Sequence, residues 1–499
     1  MAAAAPSGMD KPHFIGIGGA GMSGIAKILA QRGARVSGSD AKESGALAAL
    51  RGLGVRVHLG HAAEHLAPDA TSVVVSSAIR ADNPELAAAA ERGVPVVHRS
   101  DALAGLMTGL RTIAVAGTHG KTTTTSMLAV SLRSLGRDPS YAIGGDLDGP
   151  GSNAHHGTGE IFVAEADESD RSFHAYAPEV AIVLNVELDH HANYASMEEI
   201  YASFETFVCR VRPGGTLVVS ADHDGARELT RRVREAAHLT VTTYGESADA
   251  DVRVLDVTAH GLTSEVTVAL GGERAAGAQE AAGAQAAEGA REAGGAREAG
   301  GPERLTFTVS VPGRHYAHNA VAALAAGVAA GVPAAELAPA LAAYTGVGRR
   351  LQLVGERAGV RVVDSYAHHP SEMTADLEAM RAAAPDGRVL VVFQPHLFSR
   401  TRELGAEMGA ALAGADAALV LDVYPAREDP IPGVTSALVT DAARARSADV
   451  TPVAGLDAVP EAVAGMAKPG DLVLTMGAGD VTEVGPRILA RLDPSGGGH

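Results

Sequence analysis

Short apolar runs alternate with helical stretches over the first hundred residues. The run HFIGI begins at His13 and leads through a glycine turn and a helix, to about Arg32, into a second apolar run, ARVSG. Apolar runs at Ser72–Ser76 and Val94–His98 continue the alternation. A strand, a helix and a second strand in this order form a βαβ unit. The pattern therefore predicts a small parallel sheet that ends near Leu106.

A second sheet is predicted to begin at Arg111. Its first strand, RTIAVAG, leads into a glycine-rich loop and a helix from about Lys121 to Leu135. Three further apolar runs follow, at Ile161–Asp167, Ala181–Val186 and Thr216–Ser220. They are apolar enough to be buried on both faces, as the strands of a parallel sheet are. This restart marks a second domain.

The pattern changes twice more towards the end of the chain. Hairpin-like alternation after Leu239 is interrupted at 271–303 by a quasi-repeat of Ala, Gly, Glu, Gln and Arg. Such a segment has too little apolar surface to offset its ordering entropy, so we predict a disordered insertion, with a frayed surface helix as the alternative. Beyond YTGVGRR, strands and helices alternate again. We predict an α/β protein of three domains, at 1–108, 109–345 and 346–499.

Composition and charge narrow the class of protein. A length of 499 residues is too great for one core and suggests about three domains. The 59 acidic residues outnumber the 41 basic ones, and the net charge of −18 argues against nucleic acid as a partner. The one cysteine, Cys209, excludes an internal disulfide framework. No signal peptide or run of about 20 apolar residues is present, so we expect a cytoplasmic protein without a membrane span.

The first candidate site is the turn GIGGAG at Gly16–Gly21. It satisfies the spacing GxGxxG between a strand and a helix, and Asp40 ends the next strand. The free N–H groups of a helix N-terminus meet a pyrophosphate there, and glycine allows the close approach. NAD or FAD, a nucleotide-sugar diphosphate, and tight helix packing without a ligand all fit these residues.

The second candidate site is a phosphate-binding loop between a strand and a helix. The general Walker A spacing requires a glycine five residues before Gly120, where this chain has Val115, so the loop is a shortened variant. The backbone N–H groups of the loop can bind phosphate, and Lys121 can contact the β and γ oxygens. The Thr122 hydroxyl can be a ligand of Mg²⁺. A glycine turn with a solvated lysine is the alternative, but it leaves the threonine-rich helix start unexplained. The predicted ATP-binding residues here are Gly117, Thr118, His119, Gly120, Lys121, Thr122 and Thr123.

Charged and polar residues follow the next two strands of the same predicted sheet. Four carboxylates lie within EADESD, Glu165–Asp170, and repel one another unless cations or donors lie among them. A Mg²⁺ site would relieve the repulsion, whereas a solvated acidic loop is the alternative. His190, in NVELDHH, suits a cation or a reacting oxygen, although a lone surface histidine would need no ligand.

The loop GTHGKTTT resembles the shortened phosphate-binding loop of the Mur ligase family. The resemblance is strengthened by further motifs, which span positions 16 to 480 in order: GIGGAGMSGIA, EADESD, the Asp189-His190 pair, GRHYAHNAVAA, DSYAHHP, FQPHLFSRTR, DVYPAREDPIPG and GAGD. The resemblance implies a Rossmann-like UDP-binding N-terminal domain, a central P-loop ATPase and a Rossmann-like C-terminal domain. It implies the branch of the family that joins L-alanine to UDP-N-acetylmuramate in peptidoglycan precursor synthesis. ATP and Mg²⁺ would be the cofactors, and the chain would act as a monomer or homodimer.

The resemblance also assigns individual residues. The glycine turn is reassigned to the UDP-sugar, whose expected contacts are Gly16, Gly18, Gly19, Gly21, Asp40, His61, Ser76 and Ser77. The adenine is expected near Asn319 and His315, although a structural role at a helix start remains open for His315. The expected Mg²⁺ ligands are Thr122, Glu165 and His190. The expected catalytic residues are Lys121, His190, Arg350, His368 and Arg400, with Asp364, Tyr366 and His396 on the same face of the third domain.

The implied reaction passes through an acyl phosphate. The substrate carboxylate would attack the γ-phosphate of ATP, and the amine of L-alanine would then attack the acyl carbon. Three alternatives remain: a ligase of the same family that joins a preformed peptide to the same UDP-sugar, a nicotinamide oxidoreductase, and a catalytically silent nucleotide-binding regulator. The oxidoreductase leaves the phosphate-binding loop unexplained, and the intact set of phosphate and metal residues argues against the regulator.

Overall fold

The computed structural model describes residues 5–147, 152–188, 193–234, 239–271, 303–426 and 428–492. Their strands form sheets of five, ten and six strands. The chain divides into two compact units, the first made of Met1–Asp256, Val266–Thr308 and His318–Tyr344, and the second of Val257–Glu265, Val309–Ala317 and Thr345–His499. The predicted α/β class is confirmed. The boundaries 1–108, 109–345 and 346–499 stay predictions, and most of the predicted insertion at 271–303 lies outside the described residues.

The first sheet is parallel, with the strand order β3-β2-β1-β4-β5. Its strands are β1 Pro12–Ile15, β2 Ser37–Asp40, β3 Arg56–Leu59, β4 Ser72–Val75 and β5 Val96–His98. Its helices are α1 Ala20–Gln31, α2 Gly45–Gly52, α3 Pro84–Glu91 and α4 Arg99–Met107, with a short 3-10 helix at Ala63–His65. The strand order reverses between β1 and β4, and ligands of such sheets bind where this happens. The glycine turn after β1 and the serine pair after β4 therefore lie at one crevice.

The central sheet has the order β15-β14-β13-β12-β11-β10-β6-β9-β7-β8. Its strands are β6 Arg111–Ala116, β7 Ser140–Ala142, β8 Ala154–His155, β9 Ile161–Glu165, β10 Val180–Val183, β11 Thr216–Ser220, β12 Thr240–Gly245, β13 Val252–His260, β14 Thr263–Leu270 and β15 Glu303–Val309. Its helices are α5 Lys121–Ser134, α6 Met197–Cys209, α7 Asp224–Val233, α8 Arg314–Ala329 and α9 Ala334–Ala340, with short 3-10 helices at Ser172–Ala175 and Leu341–Ala343. Strand β6 pairs in parallel with both β9 and β10, so the loops after these three strands meet at one edge.

Helix α5 is buried although it begins with a run of threonines. The hydroxyls turn back onto the helix: Thr125 donates to the carbonyl of Lys121 at 2.8 Å, and Ser126 donates to that of Thr122 at 2.6 Å. Back-bonding of this kind satisfies hydroxyls inside a helix that packs on a sheet. The polar start of α5 is therefore compatible with a position against the sheet, directly after the phosphate-binding loop.

The third sheet belongs to the second compact unit and has the order β16-β17-β21-β18-β19-β20. Its strands are β16 Gln352–Arg357, β17 Val360–Ser365, β18 Val389–Phe393, β19 Ala417–Val420, β20 Val450–Pro452 and β21 Leu472–Met476. Its helices are α10 Pro370–Ala383, α11 Phe398–Leu412, α12 Ala437–Arg444, α13 Val459–Met466 and α14 Val484–Leu492, with short 3-10 helices at Leu456–Ala458 and Asp480–Glu483. Only β16 is antiparallel, at one edge. Among the helices that the structure describes, none is long and apolar enough to cross a bilayer.

Replacement of Gly38 in β2 tests how closely β2 approaches β1. An added Cβ would lie 2.5 Å from the carbonyl oxygen of Phe14 and 2.7 Å from Cδ1 of Ile17, both in the core. We expect Gly38→Ala to lower the free energy of unfolding by roughly 2 kcal/mol, measured by chemical denaturation. Gly52→Ala, at the end of α2 with no atom within 4 Å, is the control and should be neutral or slightly stabilising. Equal effects of the two substitutions would contradict the interpretation.

Candidate active site

Three loops converge at the carboxyl edge of the central sheet. The phosphate-binding loop follows β6, the acidic segment EADESD begins at the last residue of β9, and the segment NVE follows β10. The parallel register places Val115 opposite Glu165 and Ala116 opposite Val183, so the three strands end at nearly the same level. Loops at such an edge are the usual ligand site of an open α/β sheet.

The shape of the phosphate-binding loop requires glycine at two positions. Gly117 has φ 141° and Gly120 has φ 82°, values that residues with a Cβ rarely adopt. A Cβ on Gly117 would lie 3.0 Å from Cβ of Leu184, and one on Gly120 would lie 2.8 Å from Oδ1 of Asn319. Asn319, predicted at the adenine, is therefore brought against the loop. The N-terminus of α5 follows directly and presents its N–H groups to the loop.

Asn185, just beyond β10, holds the phosphate-binding loop in place. Its Oδ1 accepts the N–H of His119 at 2.7 Å, and its Nδ2 donates to the His119 carbonyl at 3.1 Å. The Thr118 hydroxyl accepts the N–H of Glu187 at 2.9 Å. We did not assign Asn185 from the sequence. Its position after a strand next to β6 was the signal that could have identified it.

Lys121 is largely buried over the loop and is paired with Glu168. Its Nζ donates to the carbonyls of Gly117 at 2.6 Å and Thr118 at 3.2 Å, and lies 2.8 Å from Oε2 of Glu168. Burial lowers the pKa of Lys121, but Glu168 and Asp167 outweigh this effect, and the net pKa is raised. The ammonium group therefore stays charged in the loop, as a phosphate-binding lysine must be.

Thr122 and Glu165 bring hydroxyl and carboxylate oxygens together beside the loop. The Thr122 hydroxyl lies 3.0 and 3.1 Å from the two oxygens of Glu165, and Glu165 also accepts the N–H of Gly144 at 2.7 Å. Burial raises the pKa of Glu165, so a cation beside it would favour its ionised form. Hard oxygen ligands of this kind suit Mg²⁺. His190, the third predicted ligand, lies outside the described residues.

The acidic segment EADESD divides its four carboxylates between two sides. Glu165 and Glu168 contact the phosphate-binding loop, as described above. Asp167 and Asp170 instead contact the first domain: Nη2 of Arg99 lies 3.3 Å from Asp167 and 3.0 Å from Asp170. From the sequence, a metal ion or solvent is expected to relieve the repulsion within this cluster of charges. In the structure, Arg99 and Lys121 provide much of the positive charge.

The first glycine turn is held by Asp40. Oδ2 of Asp40 accepts the N–H of Gly18 at 2.9 Å, and the N–H of Gly16, at φ 77°, donates to the carbonyl of Ser39 at 2.8 Å. Gly19 then precedes the first residue of α1. Asp40 was predicted as a UDP-sugar contact, and in the structure it shapes the turn on which that ligand is expected.

Ser76 and Ser77 follow β4 on the other side of the same crevice. The hydroxyl of Ser77 donates to Oδ2 of Asp170 at 2.8 Å, so this residue contacts the acidic segment of the central domain. Gly21, in the first turn of α1, lies against Arg99, and Arg99 also contacts the acidic segment of the central domain. The predicted UDP-sugar residues and the predicted ATP residues are therefore joined through EADESD within one compact unit.

His61, another predicted UDP-sugar residue, belongs to a buried cluster around Glu85. Nδ1 of His61 lies 2.9 Å from the Ser39 hydroxyl and 3.4 Å from Glu85, whose side chain is fully buried. Ser39 donates to Glu85 at 2.6 Å, and His65 lies 3.2 Å from it. Burial raises the pKa of Glu85, but the neighbouring His13 ring and the hydrogen bond from Ser39 outweigh this effect, and the net pKa is about 2. We missed Glu85 because, in NPE at a helix start, it resembles an ordinary capping residue.

The predicted catalytic residues of the third domain lie together within the second compact unit. The Arg350 guanidinium lies 5.2 Å from the ring centre of Tyr366, and Nδ1 of His368 donates to the Tyr366 carbonyl at 2.8 Å. The His368 ring lies 5.8 Å from that of His396, and Nη1 of Arg400 lies 3.4 Å from Nδ1 of His396. Burial, followed by His368 and Arg400, lowers the pKa of His396 to about 4. The cluster brings two guanidinium groups and two imidazoles together, with the Glu372 carboxylate 3.8 Å from Arg350 and 3.7 Å from His368.

Two further predicted residues of this unit have structural contacts. Nε2 of His315 lies 3.4 Å from Oδ1 of Asp376, and its ring lies 2.9 Å from where Cβ would stand on Gly313. Asp364 accepts the hydroxyls of Thr475 at 2.5 Å and Thr482 at 2.7 Å. The role of His315, at the adenine or at the helix start, stays a prediction.

A loop that encloses a charged lysine, beside carboxylate and hydroxyl oxygens, is typical of a nucleotide-binding site. Three family models match the chain: "Mur ligase family, catalytic domain" at residues 11–111, "Mur ligase middle domain" at 115–327 and "Mur ligase, glutamate ligase domain" at 349–479. The chain therefore belongs to the Mur ligase family, and it is an ATP-dependent, amide-forming ligase.

Individual relatives are similar over the full length. The chain is 74% identical to a curated UDP-N-acetylmuramate--L-alanine ligase of Streptomyces avermitilis, over 99% of both chains, and 73% identical to that of Streptomyces coelicolor, over 99% of this chain and 100% of the relative. A solved UDP-N-acetylmuramate-alanine ligase from Thermotoga maritima is 26% identical, with a TM-score of 0.76 over 96% of this chain and 98% of that one. The predicted family and three-domain fold are confirmed.

Replacement of Glu85 tests the buried cluster beneath His61. In Glu85→Gln the amide keeps the shape but loses the charge that accepts from Ser39 and the histidines, so we expect a loss of about 2 kcal/mol in the free energy of unfolding at pH 7. Because the pKa of Glu85 is depressed in the folded state, its contribution is present above about pH 4.5 and is lost as the pH falls towards 2.

The measurement compares chemical denaturation of the two proteins between pH 7 and pH 3. The difference in stability should shrink below about pH 4.5. Glu43→Gln, at an exposed ion pair with Arg51 in the same domain, is the control and should leave the free energy of unfolding nearly unchanged. A pH-independent difference for Glu85→Gln would contradict the interpretation.

Proposed function

We propose that this enzyme joins L-alanine to the lactyl carboxylate of UDP-N-acetylmuramate, with conversion of ATP to ADP and phosphate, in peptidoglycan precursor synthesis. Relatives that are 74% and 73% identical over nearly the whole chain are named UDP-N-acetylmuramate--L-alanine ligase. The observation that carries the proposal is the pairing of Lys121 with Glu168, in a loop joined by EADESD to the crevice of the first domain.

In the first step, the substrate carboxylate attacks the γ-phosphorus of ATP. The bond from the γ-phosphorus to the bridging oxygen breaks, ADP leaves, and an acyl phosphate forms. Lys121 places a fixed positive charge where the transferred group becomes more negative, and the N–H groups of the loop and of the start of α5 hold the neighbouring phosphate. Asn319, which lies against Gly120, is assigned to the nucleotide side of the site.

We assign Mg²⁺ to the oxygens of Thr122 and Glu165, with His190 as the further ligand predicted from the sequence. Bound there, the ion would neutralise charge on the phosphate oxygens. The proximity of the Thr122 hydroxyl to the Glu165 carboxylate supports this assignment.

In the second step, the amine of L-alanine attacks the acyl carbon, and the tetrahedral intermediate collapses to an amide and phosphate. A free carboxylate is a poor electrophile, so the acyl phosphate is what makes amide formation feasible. We assign Arg350, His368 and Arg400 to anionic groups at this stage, because two guanidinium groups lie in one cluster with His368 and His396. The cytoplasmic location and the monomeric or homodimeric state stay predictions.

The direct test of the proposed function is phosphate release with ATP, Mg²⁺ and UDP-N-acetylmuramate. L-Alanine should give rapid release, and glycine, L-serine or a tripeptide should give slower release. Release with the tripeptide but not with L-alanine would favour the peptide-joining alternative. No release with any acceptor would refute the proposal. Mass spectrometry of the product should show the added alanyl group.

Substitution of Lys121 separates the two ligand sites. We expect Lys121→Ala to lower kcat by about a thousandfold while UDP-N-acetylmuramate still binds, because the lysine contacts phosphate and the sugar nucleotide binds in another domain. Loss of Lys121 also leaves the buried Glu168 carboxylate without its lysine partner. The double variant Lys121→Ala/Glu168→Gln removes that charge and controls for the resulting loss of stability. Calorimetry of binding and steady-state rates are the measurements. Loss of UDP-sugar binding in both folded variants would contradict the assignment.

A further inference from the structure

Arg99 occupies an unusual position between the two predicted ligand sites. It is the first residue of α4 in the first domain, and its side chain is largely buried. Nη2 donates to Asp170 at 3.0 Å, to Asp167 at 3.3 Å and to the Ser172 hydroxyl at 3.4 Å, all in or next to the acidic segment of the central domain. One side of the guanidinium is therefore bound to EADESD.

The other side of the same guanidinium faces the first glycine turn. Nη1 of Arg99 lies 3.1 Å from the point where Cβ would stand on Gly21, in the first turn of α1. Among the described residues, every hydrogen bond of Arg99 comes from Nη2. Nη1 thus lies at a helix N-terminus, and both groups attract an anion placed on the turn.

EADESD transmits this contact directly to the ATP side. Asp167 and Asp170 contact Arg99, whereas Glu168, which lies between them in the chain, pairs with Lys121. The segment is tightly held: Asp167 accepts the N–H of Ser169 at 3.0 Å, and the Tyr194 hydroxyl donates to the carbonyl of Glu168 at 2.6 Å. A displacement of Asp167 or Asp170 would therefore move Glu168 and Glu165 with it.

We propose that Arg99 is a positioning residue that couples the two sites. It binds an anionic oxygen of the UDP-sugar diphosphate through Nη1 and holds the acidic segment through Nη2. Binding of the sugar nucleotide then favours the arrangement of EADESD that receives ATP and its cation, and the reverse also holds because coupling is reciprocal. This inference rests on the proposed function.

The test is calorimetry of UDP-N-acetylmuramate and of a non-hydrolysable ATP analogue with Mg²⁺, each titrated alone and in the presence of the other. In the unmodified enzyme, each ligand should raise the affinity for the other about fivefold or more. In Arg99→Gln this factor should fall to less than about twofold, and UDP-sugar affinity should fall as well. The affinity for the ATP analogue alone should stay within about twofold.

Two conservative variants and a control complete the test. Asp170→Asn keeps the shape of the acidic segment and weakens its contact with Arg99, so it should reduce the coupling on its own. The loss in Arg99→Gln/Asp170→Asn should be no larger than in Arg99→Gln, because both act through one contact. Arg99→Lys should restore part of the UDP-sugar affinity. Arg35→Gln, at an exposed ion pair with Asp69, should leave coupling and affinities unchanged.

Each outcome has a distinct meaning. Absence of UDP-sugar binding by the unmodified enzyme would refute the proposed function. Binding of both ligands without coupling, or unchanged coupling in Arg99→Gln, would refute the role of Arg99. Loss of binding of the ATP analogue alone in Arg99→Gln would show that the residue only supports the fold, and would also overturn the inference. If Arg99→Gln does not fold, unchanged coupling in Asp170→Asn would refute the role of Arg99 instead.

Discussion

Four carboxylates within six consecutive residues at the end of β9 must be balanced by positive charge or by donors. Two sets of contacts meet this requirement. Glu165 and Glu168 turn to Thr122 and Lys121, and Asp167 and Asp170 turn to Arg99 of the first domain. Because unpaired buried carboxylates are costly, the two contacts hold the phosphate-binding loop and the first domain in a defined relation to the acidic segment.

The arrangement of strands in the central sheet makes this balance possible. Strand β6 lies between β9 and β10, so the loops after these strands meet although they are distant in sequence. Glycines with positive φ shape the phosphate-binding loop, and Asn185 holds it from the β10 side. The loop is therefore positioned by its neighbours as much as by its own sequence.

The first domain shows how far motif reasoning reaches. The spacing of Gly16–Gly21 predicted a ligand-binding turn, but left open dinucleotide, sugar nucleotide or packing alone. The family resemblance chose among these, and the structure then gave Asp40 a role in shaping the turn. The sequence did not predict roles for Glu85 and Arg99, because each resembles an ordinary residue at the start of a helix. Their importance depends on partners 20 to 73 positions away, from His65 beside Glu85 to Ser172 beside Arg99.

The sequence by itself determined the α/β class, the three restarts of the strand and helix pattern, and the phosphate-binding loop, since these depend on local periodicity and on residues adjacent in the chain. The family followed from the shortened loop with its histidine. Only the tertiary structure decided which carboxylate of EADESD contacts which cation, which residue holds His61, and that His315 pairs with Asp376. Such pairings depend on strand order and on the direction of side chains after each strand, and neither is encoded in the spacing of a single motif.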